Sequence, residues 1–247
     1  SRNHIEEISE KAKSFWNSYP QKYMHERLTS NVGGDYIYNS KNVKDSFIVE
    51  EMEDARYCAL VLPGKTTDCY DHTHYGISAD QMCETLQVGN QASRIIASWF
   101  VITNVENIAY SIFTIGSKNS FGCVGVKKRE HCILNREYSK EEFKKLKEQI
   151  IEQMNTNPYR DLKGRIYRYG EFFPPEMSPF AYNVSSAQET FPLSEKEALE
   201  QGFKWRAKEK PAHSITIPAE KIPAGAESID NSILSETIEC FHRGKCN

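Results

Sequence analysis

The sequence predicts a mainly β fold: a parallel β-solenoid, right-handed β-helix-like, with an N-terminal capping helix and a C-terminal α+β module. Three observations carry this expectation. First, a short phrase recurs eight times, usually a polar residue, then a mostly apolar one, then a small residue three positions further on. The phrases are Asn42-Val43…Ser46, Asp54-Ala55…Cys58, Asp68-Cys69…His72, Gln81-Met82…Thr85, Arg94-Ile95…Ser98, Asn107-Ile108…Ser111, Asn119-Ser120…Cys123 and Glu130-His131…Leu134. Their starts step by 12, 14, 13, 13, 13, 12 and 11 residues. A fixed short period with fixed residue classes marks stacked units, each burying its inner face only against its neighbours. Second, the column from Ser46 to Leu134 is nearly all small and runs beside the larger column from Val43 to His131, as the limited volume inside a tight corner requires. Third, a helix-pair repeat needs about 33 residues or more, which excludes an α-solenoid.

Taken in order, residues 3–19 read as a helix with Ile5, Ile8, Ala12, Phe15, Trp16 and Tyr19 on one apolar face and Asn3 as its cap. Such a helix suits the covering of a solenoid's open end. Gly33-Gly34 marks the turn into the first coil. A third inward column is expected at Ile48, Leu60, His74, Gln87, Phe100, Phe113 and Gly125. The recurring Asn or Asp suits a turn, where its side chain bonds nearby backbone. The period leaves open whether one phrase makes a whole coil or half of a coil about twice as long.

The repeats are expected to stop near Asn135. Ser139 and Glu142 form a capping box for a helix with Phe143, Leu146, Ile150 and Met154 as its apolar stripe, ended by Pro158. Arg165 to Phe173 alternates and is rich in aromatics, which suggests a strand broken by Pro174-Pro175. Further helices are expected at 194–201 and 231–240, with a short strand at Ser214 to Ile217. The domain reading is 1–38 for the capping helix and turn, 39–136 for the solenoid and 137–247 for the α+β module.

The 247 residues, 39% hydrophobic and 26% charged, suffice for one large or two small domains with a real core. A net charge of −3 argues against a globally basic surface but permits a local basic patch. No apolar run approaches the roughly 18 residues of a membrane span, and the N-terminus lacks the apolar stretch of a secretory signal. The seven cysteines fall mostly at repeat positions, which favours a reducing, cytoplasmic setting.

Three groups of residues are candidates for chemistry. Cys240, His242 and Cys246 lie two and four apart around Gly244, a spacing that can wrap one side of a tetrahedral zinc ion. Four ligands are normally needed and three appear, so an incidental tail is the competing reading. Asp71-His72-Thr73-His74 follows Cys69, and the repeat turns both histidines inward beside Cys58 and Thr85. Metal binding or proton transfer competes there with a satisfied polar ladder, which the conformity to the repeat favours. The basic, aromatic segment from Lys118 to Arg168 holds thirteen Lys and Arg against seven acids, leaving +6. Within it Lys127, Lys128, Arg129, Arg165, Tyr167, Arg168 and Tyr169 are the candidate nucleic-acid contacts, because cations meet phosphates while aromatic rings stack bases. A solvated helix face followed by core aromatics explains the same residues without a ligand.

Catalytic signals are sparse. Asp45, Asp71 and Glu84 occupy equivalent repeat positions, but the following phrases place Ala97, Tyr110 and Gly122 there. No nucleophile elbow, P-loop, dinucleotide fingerprint or HExxH pattern occurs.

Several runs carry a resemblance: Lys118-Asn119-Ser120-Phe121-Gly122-Cys123-Val124-Gly125, His131-Cys132-Ile133-Leu134-Asn135, Tyr169-Gly170-Glu171-Phe172-Phe173-Pro174-Pro175 with Pro179-Phe180-Ala181-Tyr182-Asn183, Phe191-Pro192-Leu193 and Gly202-Phe203-Lys204-Trp205. Across most of its length the chain resembles a family of uncharacterised β-solenoid plus zinc-ribbon proteins frequent in small-genome candidate-phyla bacteria. The resemblance implies cysteine-rich solenoid repeats, and a native chain that continues past the equivalents of Cys240, His242 and Cys246 into further CxxC pairs. Many positions that are Cys in that pattern are apolar or Ser here, for example Val43 and Ile108, which fits packing rather than metal in the solenoid. The family brings no activity with it. The functional expectation is therefore a non-enzymatic scaffold that binds RNA, DNA or a ribonucleoprotein ahead of a protein partner, with zinc as its cofactor. The alternative is a β-helix enzyme, a lyase or hydrolase acting on a polysaccharide or other polyanion.

Overall fold

One residue in every three along the coils adopts a left-handed backbone, and this sets the architecture. The structure, a computed structural model, describes residues 2–207, 214–223, 225 and 228–240. It is mainly β, with a parallel solenoid of about 8 turns, an N-terminal helix and a C-terminal region of helices and short strands. Paired residues in successive coils are 12 apart at Gly34↔Ser46 and Lys41↔Glu53, 14 at Met52↔Thr66, 13 at Thr67↔Asp80 and 12 again at Lys118↔Glu130. One phrase is therefore a whole coil.

Each coil turns at four positions of positive φ. Asn39, Asn42, Asp45 and Ile48 serve the second coil, and Glu51, Asp54, Tyr57 and Leu60 the third, with φ between 50° and 57°. The residue after each turns inward: Ser40, Val43, Ser46 and Val49 are all buried, as are Met52, Ala55, Cys58 and Val61. The left-handed region is costly for most L-residues and cheapest for Gly, Asn and Asp, which explains the recurring Asn and Asp of the phrase. Their side chains bond one another rather than the backbone: Asn31 Nδ2 donates to Asn42 Oδ1 at 2.9 Å, and Asn42 Nδ2 to Asp54 Oδ1 at 2.8 Å. Gly34 is required where the ladder opens, since at φ 136° a Cβ would stand 1.8 Å from the Ser46 carbonyl oxygen.

The first expected column is buried from Val43 to Ser120, but its last member is Cys132, paired with Ser120, not His131. The second is buried from Ser46 to Cys123, whereas Leu134 is exposed. The last coil steps by 12 residues, so His131 takes the left-handed place of Asn119, and the place of Cys123 falls at Asn135, where the chain turns. Leu134 and Asn135, with φ of 48° and 66°, form a two-residue turn that sends Arg136–Glu137 back antiparallel along Glu130–Ile133, ending the solenoid in a hairpin. The third column is displaced by one residue. Ile48, Leu60, His74, Gln87, Phe100, Phe113 and Gly125 are the left-handed positions themselves and lie outside, while Val49, Val61, Val88, Val101, Thr114 and Val126 fill the interior.

Small polar residues of the second column bond the coils together. Ser46 Oγ donates to the Lys44 carbonyl at 2.8 Å and accepts the Cys58 N–H at 3.1 Å, and Ser111 repeats the pattern with Ala109 and Cys123. Ser40 and Ser117 do the same at another corner. Each hydroxyl thus satisfies a buried backbone donor that the turn removes from the ladder.

The chain divides into two compact units, Lys22–Pro174 and Ser1–Gln21 with Pro175–Asn247. In the first, helix α2 (Lys140–Thr156) begins with the expected capping box, Ser139 Oγ accepting the Glu142 N–H. Its Phe143, Leu146, Ile150 and Met154 pack on Ala109, Phe121 and Ile133 of the solenoid's outer surface. The strand expected over 165–173 shortens to Ile166–Tyr167, paired with Tyr159–Arg160, because the chain turns at Gly170 with φ 109°.

In the second unit, helix α1 (Arg2–Asn17) forms as expected, although Asn3 lies inside it rather than at its cap. Its Ile5, Ile8, Phe15 and Trp16 are exposed, as is Tyr19 beyond its end. Helix α3 (Ala187–Thr190) was not anticipated, whereas α4 (Glu195–Glu200) follows the expected Ser194 cap. Tyr182 organises this region: its ring lies 4.7 Å from that of Phe203, its hydroxyl donates to the Phe191 carbonyl, and its N–H to the Lys204 carbonyl. Over 231–240 a 3-10 turn, Asn231–Ser235, replaces the expected helix, because the Thr237 carbonyl accepts the N–H groups of Thr216 and Ile217. The expected strand at Ser214 is reduced to the bridge Ile217↔Ile238.

Candidate functional site

The inner columns are nearly alike from coil to coil, so the outer surfaces distinguish this solenoid. One outer row, in register, is Lys44, Arg56, Tyr70, Cys83, Ile96, Ala109, Phe121 and Ile133. It changes from charged to apolar where α2 covers it. A second row carries Lys41, Glu53, Thr67, Asp80, Ser93, Glu106 and Lys118, with ion pairs Lys41–Glu53 at 3.1 Å and Lys118–Glu106 at 3.3 Å.

A third row differs from both. After Asp35 at its head, Phe47, Ala59, Thr73, Leu86, Trp99, Ile112 and Val124 follow in continuous register. Beside them stand the left-handed residues Ile48, Leu60, His74, Gln87, Phe100, Phe113 and Gly125. These fourteen positions contain no Lys, Arg, Asp or Glu. Phe47 and Ile48 are each 54% exposed, and Leu60, Leu86, Phe113 and Val124 are also exposed. Trp99 and Phe100 flank Phe113, with ring centroids 5.2 and 5.4 Å away, and Trp99 Nε1 donates to Gln87 Oε1 at 2.9 Å. Six steps of about 4.8 Å make this uncharged face roughly 29 Å long. Sequence reasoning missed it by assigning one of its two rows to the interior.

The basic, aromatic segment is divided by its local partners. Lys127 and Lys128 are exposed on the last coil, and Arg129 pairs with Glu137 at 2.9 Å. Arg165 is held by Asp161 at 2.5 Å, and the Tyr167 hydroxyl donates to the same carboxylate at 3.3 Å. Burial pushes the Asp161 carboxyl up, but hydrogen bonds from Arg165 and from the Lys163 N–H outweigh it and hold the group below the usual carboxylate range. Arg168 is exposed. Tyr169 packs among the residues beneath α2, stacked 6.4 Å from Phe121 and tilted against Tyr110 at 6.0 Å. Tyr110 anchors this turn: its hydroxyl accepts the Gly170 N–H at 2.8 Å and donates to the Glu171 carbonyl at 3.1 Å, and burial pushes it up to about 12.

His72 and His74 separate. His72 is fully buried, with Nδ1 2.9 Å from Thr85 Oγ1 and no hydrogen-bond partner at Nε2, whereas His74 points outward with φ 66°. Inward-facing placement of both is thus corrected by the one-residue displacement of the third column. Burial holds the His72 imidazole down at about 4 and pushes the Cys58 thiol up to about 11. Both are neutral core groups.

Among the acids, Asp45 is drawn to Arg56 at 2.8 Å, and Tyr57 separates it from Asp71 in the column. Asp71 and Glu84 stand on adjacent coils. Burial raises both, and Asp71 and then Glu171 raise Glu84 further. Of the zinc candidates, Cys240 is exposed, while His242 and Cys246 lie outside the described residues. Among the described residues, no group of three or more His, Cys, Asp or Glu is placed to hold a metal ion. No described helix is long and apolar enough to cross a membrane.

Compared with known proteins, the chain matches no family model, no curated protein and no solved structure.

Proposed function

We propose that this protein is a non-enzymatic solenoid scaffold whose uncharged apolar face docks an apolar surface of another polypeptide. One observation carries the reading: exposed, bulky apolar side chains occupy left-handed backbone at Ile48, Leu60 and Phe113. That conformation costs a branched or aromatic residue on the order of 1–3 kcal/mol, and Asn or Asp would relieve it. Asn and Asp recur in the left-handed column two turns away, at Asn42, Asp54, Asp68, Asn107 and Asn119, while the column between holds Asp45 and Asp71 beside Tyr57 and Tyr110. Strain kept where an exposed side chain gains nothing from the core points to a use outside the fold. The lack of formal charge suits an apolar partner and offers a phosphate backbone nothing to pair with.

The test is oxidative footprinting of the protein as isolated from its source, compared with the same protein after dissociation. Trp99, Phe100 and Phe113 are expected to be protected in the assembly and labelled in the dissociated chain. Equal labelling in both states would overturn the reading.

A second reading, association with RNA or DNA, is favoured by the exposed Lys127 and Lys128 on the last coil and by the +6 balance of 118–168, thirteen cations against seven acids. It requires affinity for single strands that falls steeply with salt and with reversal of those two charges. Affinity indifferent to both would remove it. The resemblance adds zinc, held by Cys240, His242 and Cys246 together with a fourth ligand.

A further inference from the structure

We propose that the cleft between α2 and the solenoid binds a small phosphate monoester, its phosphate seated at Lys147 and Arg94. The cleft lies in the first unit, has a volume of about 240 Å³, and is walled by Gln81, Arg94, Ile96, Ala109, Lys147 and Tyr169. Lys147 carries the argument. Lys140, Lys144 and Lys145 of α2 are exposed, whereas Lys147 is half-buried. Its Nζ donates to Asn107 Oδ1 at 2.7 Å, a neutral acceptor, and Asn107 Nδ2 is itself committed to Asn119 Oδ1 at 2.6 Å. The positions three and four residues from Lys147 on the helix are Phe143, Lys144, Ile150 and Ile151, so α2 offers it no carboxylate. Burial, and then the Arg94 cation, hold the Lys147 ammonium below its ordinary value. A half-buried cation that faces a second cation is unfavourable, and an anion between the two relieves it.

The local charge is in surplus. Arg94 pairs with Glu106, whose other carboxylate oxygen meets Lys118 at 3.3 Å. Arg94, Lys118 and Lys147 thus share one carboxylate. The other acids on these coils are placed elsewhere: Asp68 lies two coils before Arg94, and Glu130 two coils beyond Glu106. Asp80 accepts the Thr67 hydroxyl at 2.9 Å, and Glu84 interacts with Asp71 and Glu171. Among the described residues, none of these acids forms an ion pair with Lys147. The surplus of two positive charges matches a phosphate monoester, which carries about −1.5 to −2 at pH 7, better than the single charge of a carboxylate or a phosphodiester. Two ammonium protons of Lys147 remain after Asn107, and the Arg94 guanidinium and Gln81 amide add donors. Ile96, Ala109 and the Tyr169 ring line the rest of the cleft and suit a short carbon body. The volume falls below the roughly 300–1,000 Å³ of pockets for drug-sized ligands, which sets the size of the ester.

Isothermal titration of the full chain with glycerol 3-phosphate at low ionic strength is expected to give a dissociation constant on the order of 0.1–1 mM, weakened at least tenfold by Lys147→Met. Arg94→Gln is expected to weaken it as well. Without ligand, Lys147→Met should melt no lower than the wild type, since it keeps the apolar stem and removes an uncompensated cation. No heat of binding up to about 10 mM ester, or equal binding by the wild type and both variants, overturns the site. A markedly lowered midpoint for Lys147→Met overturns it too, because the lysine would then serve the fold. Succinate bound as tightly as glycerol 3-phosphate overturns the phosphate, and displacement of the ester by a single-stranded oligonucleotide without a terminal phosphate overturns the monoester in favour of a nucleic-acid backbone.

Discussion

Ser98 Oγ accepts the backbone N–H of Ser111 at 3.1 Å, one coil further on, while donating to the Ile96 carbonyl at 2.8 Å. Both serines are fully buried. The hydroxyl therefore does two things a methyl cannot: it fits a corner too small for a larger side chain, and it satisfies a donor that the turn takes out of the ladder.

Removing one such hydroxyl should be expensive relative to its size. Ser111→Ala leaves the Cys123 N–H, now bonded at 3.1 Å, without its acceptor in the interior. A loss of about 1–3 kcal/mol is expected in urea denaturation. Ser111→Trp overpacks the same corner and should cost about 3 kcal/mol or more. A near-neutral Ser111→Trp would contradict the inward placement.

Acid should find the buried His72. Its folded value of about 4 lies below the model-peptide value of 6.5, so the unfolded chain binds the extra proton between these two pH values. Stability from this group is complete above about pH 6.5 and is lost as pH falls toward 4, an effect of roughly 3 kcal/mol. Denaturant midpoints at pH 7 and 4.5 should diverge for the wild-type chain and converge for His72→Gln. Parallel pH dependence in both would mean that His72 is not buried neutral.

A metal measurement tests the zinc proposal at Cys240, His242 and Cys246. Metal analysis of the native protein should find zinc, and Cys240→Ser with Cys246→Ser should lose it from that site. Unchanged metal content in that double variant would reject the ligand assignment, because a tetrahedral site missing two thiolates binds too weakly to survive purification.

The solenoid was legible in the sequence because stacking repeats a residue class at a fixed step, and the step from Val43 to Ala55 to Cys69 is the ladder's own register. The exact inner columns were less so. Period alone cannot tell an inward residue from the left-handed one before it, and Ile48, Phe100 and Phe113 look like core by composition. Their positive φ is the fact that moves them outside, and bulky apolar residues are poor advertisements for that conformation. The same one-residue displacement hid the apolar face and turned His74 outward. The row Ile96, Ala109, Phe121 and Ile133 did carry a readable signal, an outer position becoming apolar just before the amphipathic α2 that covers it. Charge counting along the basic segment leaves out local pairing, which only the structure supplies: Asp161 holds both Arg165 and Tyr167.

The central claim, that Ile48, Leu60 and Phe113 are kept apolar for docking rather than for folding, is tested most directly by the thermal melt of Ile48→Asn, Leu60→Asn, Phe113→Asn at a concentration where the wild-type chain is monomeric. Asn is at ease in the left-handed backbone, so the account predicts a triple variant at least as stable as the wild type, its midpoint unchanged or raised by a few degrees. A midpoint lowered by several degrees would show that these side chains serve the fold, and would contradict the docking face.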